Sequence, residues 1–185
     1  MDKHKYLEKY FNDLRNVINF DSDKIKNLIE VSEVLLKANR KGKKTRIFGN
    51  GGSAAIASHF SIDCNNKLKI KCLNFNEASI LTCFSNDYGY ENWVKKALEQ
   101  FSEKGDLVIL ISSSGESKNM IFASKFTKIK KIKTVTLTGF NKKNTLSKSG
   151  YIDIWINSKV YNFVENSHQI ILLSIIDSIS NLKIK

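Results

Sequence analysis

Proline is absent from all 185 residues, and no functional reading follows from that. Cysteine is scarce: Cys64, Cys72 and Cys83 are odd in number and lack metal-ligand spacing. That pattern argues against a disulfide framework and predicts three buried free thiols. Arginine is scarcer still relative to lysine. Only Arg15, Arg40 and Arg46 stand among 30 basic residues, in a chain of net charge +12. Nucleic-acid readers lean on arginine for bidentate contacts. The charge therefore reads as a solvated lysine surface, an anionic substrate being the second explanation, and nucleic acid is not the expected partner. No apolar run reaches the ~20 residues that a membrane span needs, so no membrane partner is expected either. The N-terminal stretch MDKHKYLEKYFNDL is charged and amphipathic and lacks the apolar core of a signal peptide. The expected location is the cytoplasm.

What remains is an ordinary globular composition, 42% hydrophobic and 26% charged. A chain of this length buries roughly 70% of its unfolded surface as one domain, expected here over 1–185. Residues 1–42 form a helical extension in this reading. Tyr6, Leu7, Tyr10, Phe11, Leu14, Val17 and Ile18 recur at helical spacing, and Asp21 or Ser22 can cap a second helix running to about Asn39. From residue 43 onward strands and helices alternate. Strands are predicted at 45–49, 70–75, 106–112, 133–140 and 151–157. Helices are predicted at 53–65, 77–85, 90–104, 117–129 and from Tyr161 to Leu182. The apolar run DLVILIS suits a central parallel strand covered on both faces. The fold class is α/β, a doubly wound parallel sheet with helices on both faces. The densest lysine stretches, 37–46 and 128–133, fall where helices end, and cations there complement helix C-termini.

Two strand ends carry loops that suit a phosphate. GNGGS follows TRIF; Gly49, Gly51 and Gly52 let backbone N–H groups approach a ligand, and Ser53 opens a helix. SSSGES follows DLVIL and offers the hydroxyls of Ser112, Ser113, Ser114 and Ser117. Neither is a P-loop, and GNGGSA lacks the third glycine of a dinucleotide fingerprint. Ligands of such sheets bind beyond the carboxyl ends of the strands, where both loops lie.

GNGGSAAIASHF, SNDYGYENW, KGDLVILISSSGES and VENSHQIILLSIID together resemble the sugar isomerase (SIS) domain family, closest to its phosphoheptose isomerase branch. The resemblance implies that Ser112, Ser113, Ser114 and Ser117 hold a sugar phosphate. It implies that Asn50, Gly51, Gly52, Ser53 and Asp87 line the sugar site and that Lys67 matches a basic residue there. The family's His and Glu on the first helix match His59 and Asp63. Its Gln and two His on the last helix match Glu165, His168 and Leu173, so the second His is lost. The resemblance implies no required cofactor, with zinc as the one metal that His59, Asp63 and Glu165 would hold.

The function so implied is aldose–ketose isomerisation of sedoheptulose 7-phosphate, feeding heptose to lipopolysaccharide, capsule or another surface glycan. Glu165 or Asp63 would be the base and His168 or His59 the acid. The resemblance also implies a homotetramer. The competing reading is a non-catalytic SIS module that binds a sugar phosphate or a protein partner.

Overall fold

The computed structural model describes residues 2–181. Two helices come first, α1 (Lys3–Val17) and α2 (Ser22–Arg40). Of the two candidate caps it is Asp21 that serves α2, its carboxylate accepting from the Lys24 N–H at 2.8 Å. Five strands follow: β1 (Thr45–Phe48), β2 (Cys72–Leu73), β3 (Leu107–Ser112), β4 (Lys133–Thr138) and β5 (Ile152–Trp155). They form one parallel sheet in the order β2-β1-β3-β4-β5. The helices between and after them are α3 (Gly52–Asn66), α4 (Ala78–Tyr88), α5 (Trp93–Phe101), α6 (Lys118–Ile129) and α7 (Tyr161–Ile179).

The apolar run of β3 serves two cores. Leu107, Ile109 and Ile111 face α2, α3 and α7, while Val108 and Leu110 face α5 and α6. Alternate side chains of a strand point to opposite faces, so a strand covered on both sides must be apolar throughout.

Element boundaries differ from expectation at the edges. β2 is two residues rather than six, because it is an edge strand whose surroundings are bonded by side chains. The Asn65 amide donates to the Cys72 carbonyl at 2.6 Å, and Asn74 and Asn76 reach back to Ser61 and Ala54. α5 starts three residues late, since Gly89 ends α4 with φ +82° and Asn92 precedes the next helix. The expected end of the last helix at Leu182 lies outside the described residues. Cys64 and Cys72 are buried free thiols, but Cys83 is exposed. It lies on the outer side of α4, while its neighbour Phe84 turns into the core. No helix among the described residues is long and apolar enough to cross a membrane.

Beneath the sheet, Arg46 on β1 is fully buried and donates to Asp106, just before β3, at 2.6 Å. Asp106 also accepts from the N–H groups of Lys44 and Glu103, each at 2.8 Å. Burial pulls the guanidinium below its ordinary pKa, and the carboxylate opposes that pull. Removing one partner of a buried pair leaves an uncompensated charge, at a cost of about 3–5 kcal/mol. Asp106→Ala should therefore lose that much stability in urea unfolding, and Arg46→Met with Asp106→Leu should recover much of it. A loss below about 1 kcal/mol in the single variant would show that the pair is not holding the strands.

Candidate active site

Pairing of β1 with β3 aligns Phe48 with Leu110. The two loops that leave these strands therefore emerge side by side. A reciprocal amide pair ties them together. Asn50 donates to Asn119 Oδ1 at 3.1 Å, and Asn119 donates to Asn50 Oδ1 at 2.8 Å. The Tyr90 hydroxyl donates to the same Asn50 oxygen at 3.0 Å. Gly51 carries φ +54°, which a residue with a Cβ adopts only under strain. At Gly52 the difficulty is space, because a Cβ there would collide with the Glu165 carboxylate.

Between the loops lies a cavity of about 110 Å³. Ligand pockets for drug-sized molecules start at ~300 Å³, so this one suits a phosphoryl group with the rest of its ligand outside. Asn50, Ser53, Ser112, Ser113, Ser114 and Ser117 line it, with Tyr161 and Glu165 from α7. Ser112 and Ser117 hydroxyls lie 3.0 Å apart, and the Gly115 N–H donates to Ser112 Oγ at 3.2 Å. The Ser113 hydroxyl is buried with no partner. Such an orphan costs free energy unless a ligand satisfies it.

Three helices begin at this cavity: α3 at Gly52, α6 after Ser117 and α7 at Tyr161. None has a side-chain cap. Each helix N-terminus carries about +0.5 of a charge and free N–H groups. An anion therefore finds three partial charges and several hydroxyls, with no lysine or arginine in the wall. Behind the serine loop, Glu116 accepts from the N–H and hydroxyl of Thr145 at 2.8 and 2.7 Å. These bonds hold its carboxyl below the usual range and keep its charge turned to the 139–149 segment.

Glu165 is the one carboxylate in the cavity wall, half-buried beside Gly52. The other expected site residues lie elsewhere. His59 stands seven residues along α3 from Gly52, about 10 Å at 1.5 Å per residue. It is exposed; its Nδ1 accepts from the Gln169 amide at 2.7 Å, and its Nε2 lies 3.7 Å from Asp63. Asp63 is buried and bonded to Lys67 at 2.9 Å, a contact that raises the lysine's pKa. Lys67 caps the far end of α3, about 22 Å from Gly52. Within one chain, Lys67 therefore does not reach the phosphate cavity. Asp87 is exposed on α4, beside Cys83 and Asn86, and does not line it.

His168 lies in the core and does not line the cavity. It is fully buried, its Nε2 lies 3.2 Å from the Thr138 carbonyl, and its Nδ1 has no partner. Burial pushes its pKa down to about 4. It is a neutral core imidazole packed against β4 and not an acid at the cavity. The zinc set is likewise not assembled: Glu165 faces Gly52 while Asp63 is committed to Lys67. Among the described residues no three His, Cys, Asp or Glu side chains converge to hold a metal. The site residues missed by sequence reasoning are Tyr90, Asn119, Tyr161 and Gln169. Tyr90 sits in SNDYGYENW, one of the stretches carrying the family resemblance. Asn119 lies two residues past Ser117. Gln169 lies in VENSHQIILLSIID, another of those stretches, while Tyr161 carries no local signal.

Comparison with known proteins places the chain in a family. The SIS domain family matches residues 5–139. A phosphoheptose isomerase of Thermodesulfovibrio yellowstonii is 33% identical over 153 residues, covering 80% of this chain and 76% of that one. Another, from Fusobacterium nucleatum, is 31% identical over 174 residues, covering 91% and 89%. The phosphoheptose isomerase GmhA of Neisseria gonorrhoeae shares the fold, with TM-score 0.85 at 22% identity over 97% and 99% of the two chains.

The buried state of His168 has a measurable consequence. In the unfolded chain the imidazole takes a proton below about 6.5, whereas in the fold it resists protonation down to about 4. Stability should therefore fall as pH drops from 6.5 to 4 and level off below. Urea midpoints across that range should show the slope, and His168→Gln should flatten it. An equal slope in the variant would contradict the assignment.

Proposed function

Since this chain belongs to the SIS domain family, we propose that it is a phosphoheptose isomerase, interconverting sedoheptulose 7-phosphate and glycero-manno-heptose 7-phosphate. The observation that carries the reading is the pairing of a phosphate-sized cavity, walled by serines and three uncapped helix N-termini, with one carboxylate. Isomerisation needs a proton removed from the carbon beside a carbonyl and returned to its neighbour. Ser112, Ser113, Ser114 and Ser117 hold the phosphate, and Asn50 and Ser53 orient the chain of carbons that leaves it. Binding energy at the phosphate thus positions the reacting carbons. Glu165 takes the proton and returns it through the enediol. The sugar carbons that leave the cavity run along α3 toward His59, which lies outside the cavity, is held by Gln169 next to Asp63, and moves the proton between the two oxygens. The reaction takes place in the cytoplasm and supplies heptose for lipopolysaccharide, capsule or a related surface glycan.

We further propose that the enzyme is a homotetramer. α1 buries none of its residues, and its Tyr6, Leu7 and Phe11 are each more than half exposed. Ile25 and Ile29 of α2 are also exposed. A helix of this kind gains its stability by packing its apolar face, and a second copy of the chain offers a matching one. Light scattering at micromolar concentration should give four chains, and Leu7→Glu with Phe11→Glu should give fewer. A monomeric mass for the unmodified chain would overturn the assembly.

Steady-state kinetics on sedoheptulose 7-phosphate separate the two halves of the site. Ser112→Ala with Ser114→Ala should raise KM about tenfold or more, since each removed donor is worth ~1 kcal/mol and more to an anion. Glu165→Gln should lower kcat about 10²–10⁴-fold with a smaller change in KM. Full rate in Glu165→Gln would remove this residue from the mechanism. If the unmodified chain binds phosphosugars but isomerises none of a broad panel, it is a binding module. The replacement of the family's second His by Leu173 is the observation that favours that outcome.

A further inference from the structure

The serine-lined cavity of about 110 Å³ takes a phosphoryl group and little more, so the carbons of a phosphosugar lie outside it. Among the described residues of its wall, Tyr161 alone is exposed, with 58% of its surface free; the others are buried or half-buried. An aromatic ring therefore stands at the mouth of a polar cavity, where the ligand must leave it.

The ring is held in place. Tyr161 is the first residue of α7, and Phe140 rests against it, with ring centroids 4.7 Å apart and planes at 67°. A T-shaped pair of this kind covers one face of a ring at most and leaves the other free. Phe140 carries φ +55°, a backbone state that a bulky residue rarely adopts. Its N–H donates to the Ser158 carbonyl at 2.9 Å, and its side chain packs on the core. The turn after β4 thus sets one aromatic ring beside another at the cavity mouth.

Tyr161 is also in line with the rest of the site. Tyr161, Glu165 and Gln169 are spaced four apart and share one face of α7, with about 5–6 Å between successive β-carbons. Glu165 lies against Gly52 and Gln169 holds His59, so this face looks toward α3. A chain of carbons that leaves the cavity between the two helices passes the ring first, then the carboxylate, then the imidazole. The chemistry of the ring decides which part of the ligand it meets. Its face is the negative side of the ring quadrupole. That face repels a phosphate and attracts the C–H bonds of a sugar, which neighbouring hydroxyls polarise positively.

We propose that Tyr161 is a specificity-determining residue whose free face packs on the C–H groups of the sugar carbons next to the phosphate. It lays the carbon chain along α7 toward Glu165 and favours sugar phosphates over phosphate alone. The inference rests on the phosphoheptose isomerase reading for the identity of its ligand.

Calorimetry with two ligands tests it: inorganic phosphate, which fills the cavity alone, and sedoheptulose 7-phosphate, which also reaches the ring. Tyr161→Ala should weaken sedoheptulose 7-phosphate about tenfold and change inorganic phosphate less than about twofold. Tyr161→Phe keeps the ring and should recover most of the lost affinity. Equal weakening of both ligands in Tyr161→Ala marks a disturbed α7 and overturns the proposal. Unchanged sugar-phosphate affinity in Tyr161→Ala also overturns it. So does a Tyr161→Phe variant as weak as Tyr161→Ala, since the contact would then belong to the hydroxyl. An unmodified chain that binds sedoheptulose 7-phosphate no tighter than inorganic phosphate overturns it as well. Turnover is read separately: the expected binding pattern without isomerisation upholds the role of Tyr161 and removes the isomerase reading.

Discussion

Parallel pairing of β1 with β3 carries the rest of the structure, and it is held at both ends by polar contacts. At the amino end the buried Arg46 on β1 bonds Asp106 at the start of β3. At the carboxyl end Asn50 and Asn119 exchange amide hydrogen bonds across the two loops. Between them the ladder runs from Thr45 opposite Leu107 to Phe48 opposite Leu110. A slip of one residue would turn every side chain of a strand to the other face. It would also part GNGGS from SSSGES. The ion pair therefore acts at a distance: it stabilises the register that builds a cavity at the far end of the same strands.

The cavity itself depends on where helices begin. α3, α6 and α7 all start at the carboxyl edge of the sheet, because each follows a strand of an all-parallel sheet whose strands end on that edge. Their free N–H groups would be a liability without a cap. Here they become the wall of an anion site that holds no cationic side chain. Glu165 adds the only formal charge, and Gly52 leaves room for it. α7 thereby does two jobs within one turn. Glu165 faces the cavity, while His168 is sunk against the Thr138 carbonyl as part of the core.

The two ends of the sheet divide the chemistry. At the carboxyl end an anion meets hydroxyls and helix N-termini; at the amino end lysines surround a cavity over an apolar floor. The net charge of +12 is therefore not spread evenly, and its densest part lies away from the phosphosugar cavity.

Much was legible in the sequence because it is written in local pattern. The alternation of strands and helices follows from hydrophobic period. The two loops follow from glycine and serine placed directly after apolar strands, and the family from four motifs in order. Other features were decided only by tertiary structure. Edge strand β2 is short because neighbouring asparagine side chains take its surroundings, which no period reveals. His168 and Glu165 are three residues apart on one helix, and a helix period alone cannot say which lies in the core and which lines a cavity. His59 and Asp63 match motif positions on α3, but distance along the helix and the Lys67 contact set them apart from the serine loop. Tyr161 reaches the cavity only because α7 begins there. Lys41 and Lys131 are ninety positions apart in sequence, and only the shared edge of α2, β3 and β4 makes them neighbours. Sequence determined the elements and the chemical character of the loops, since these rest on short-range sterics and hydrogen bonding. Which side chains meet depends on how helices pack across the sheet, and that is a property of the folded chain.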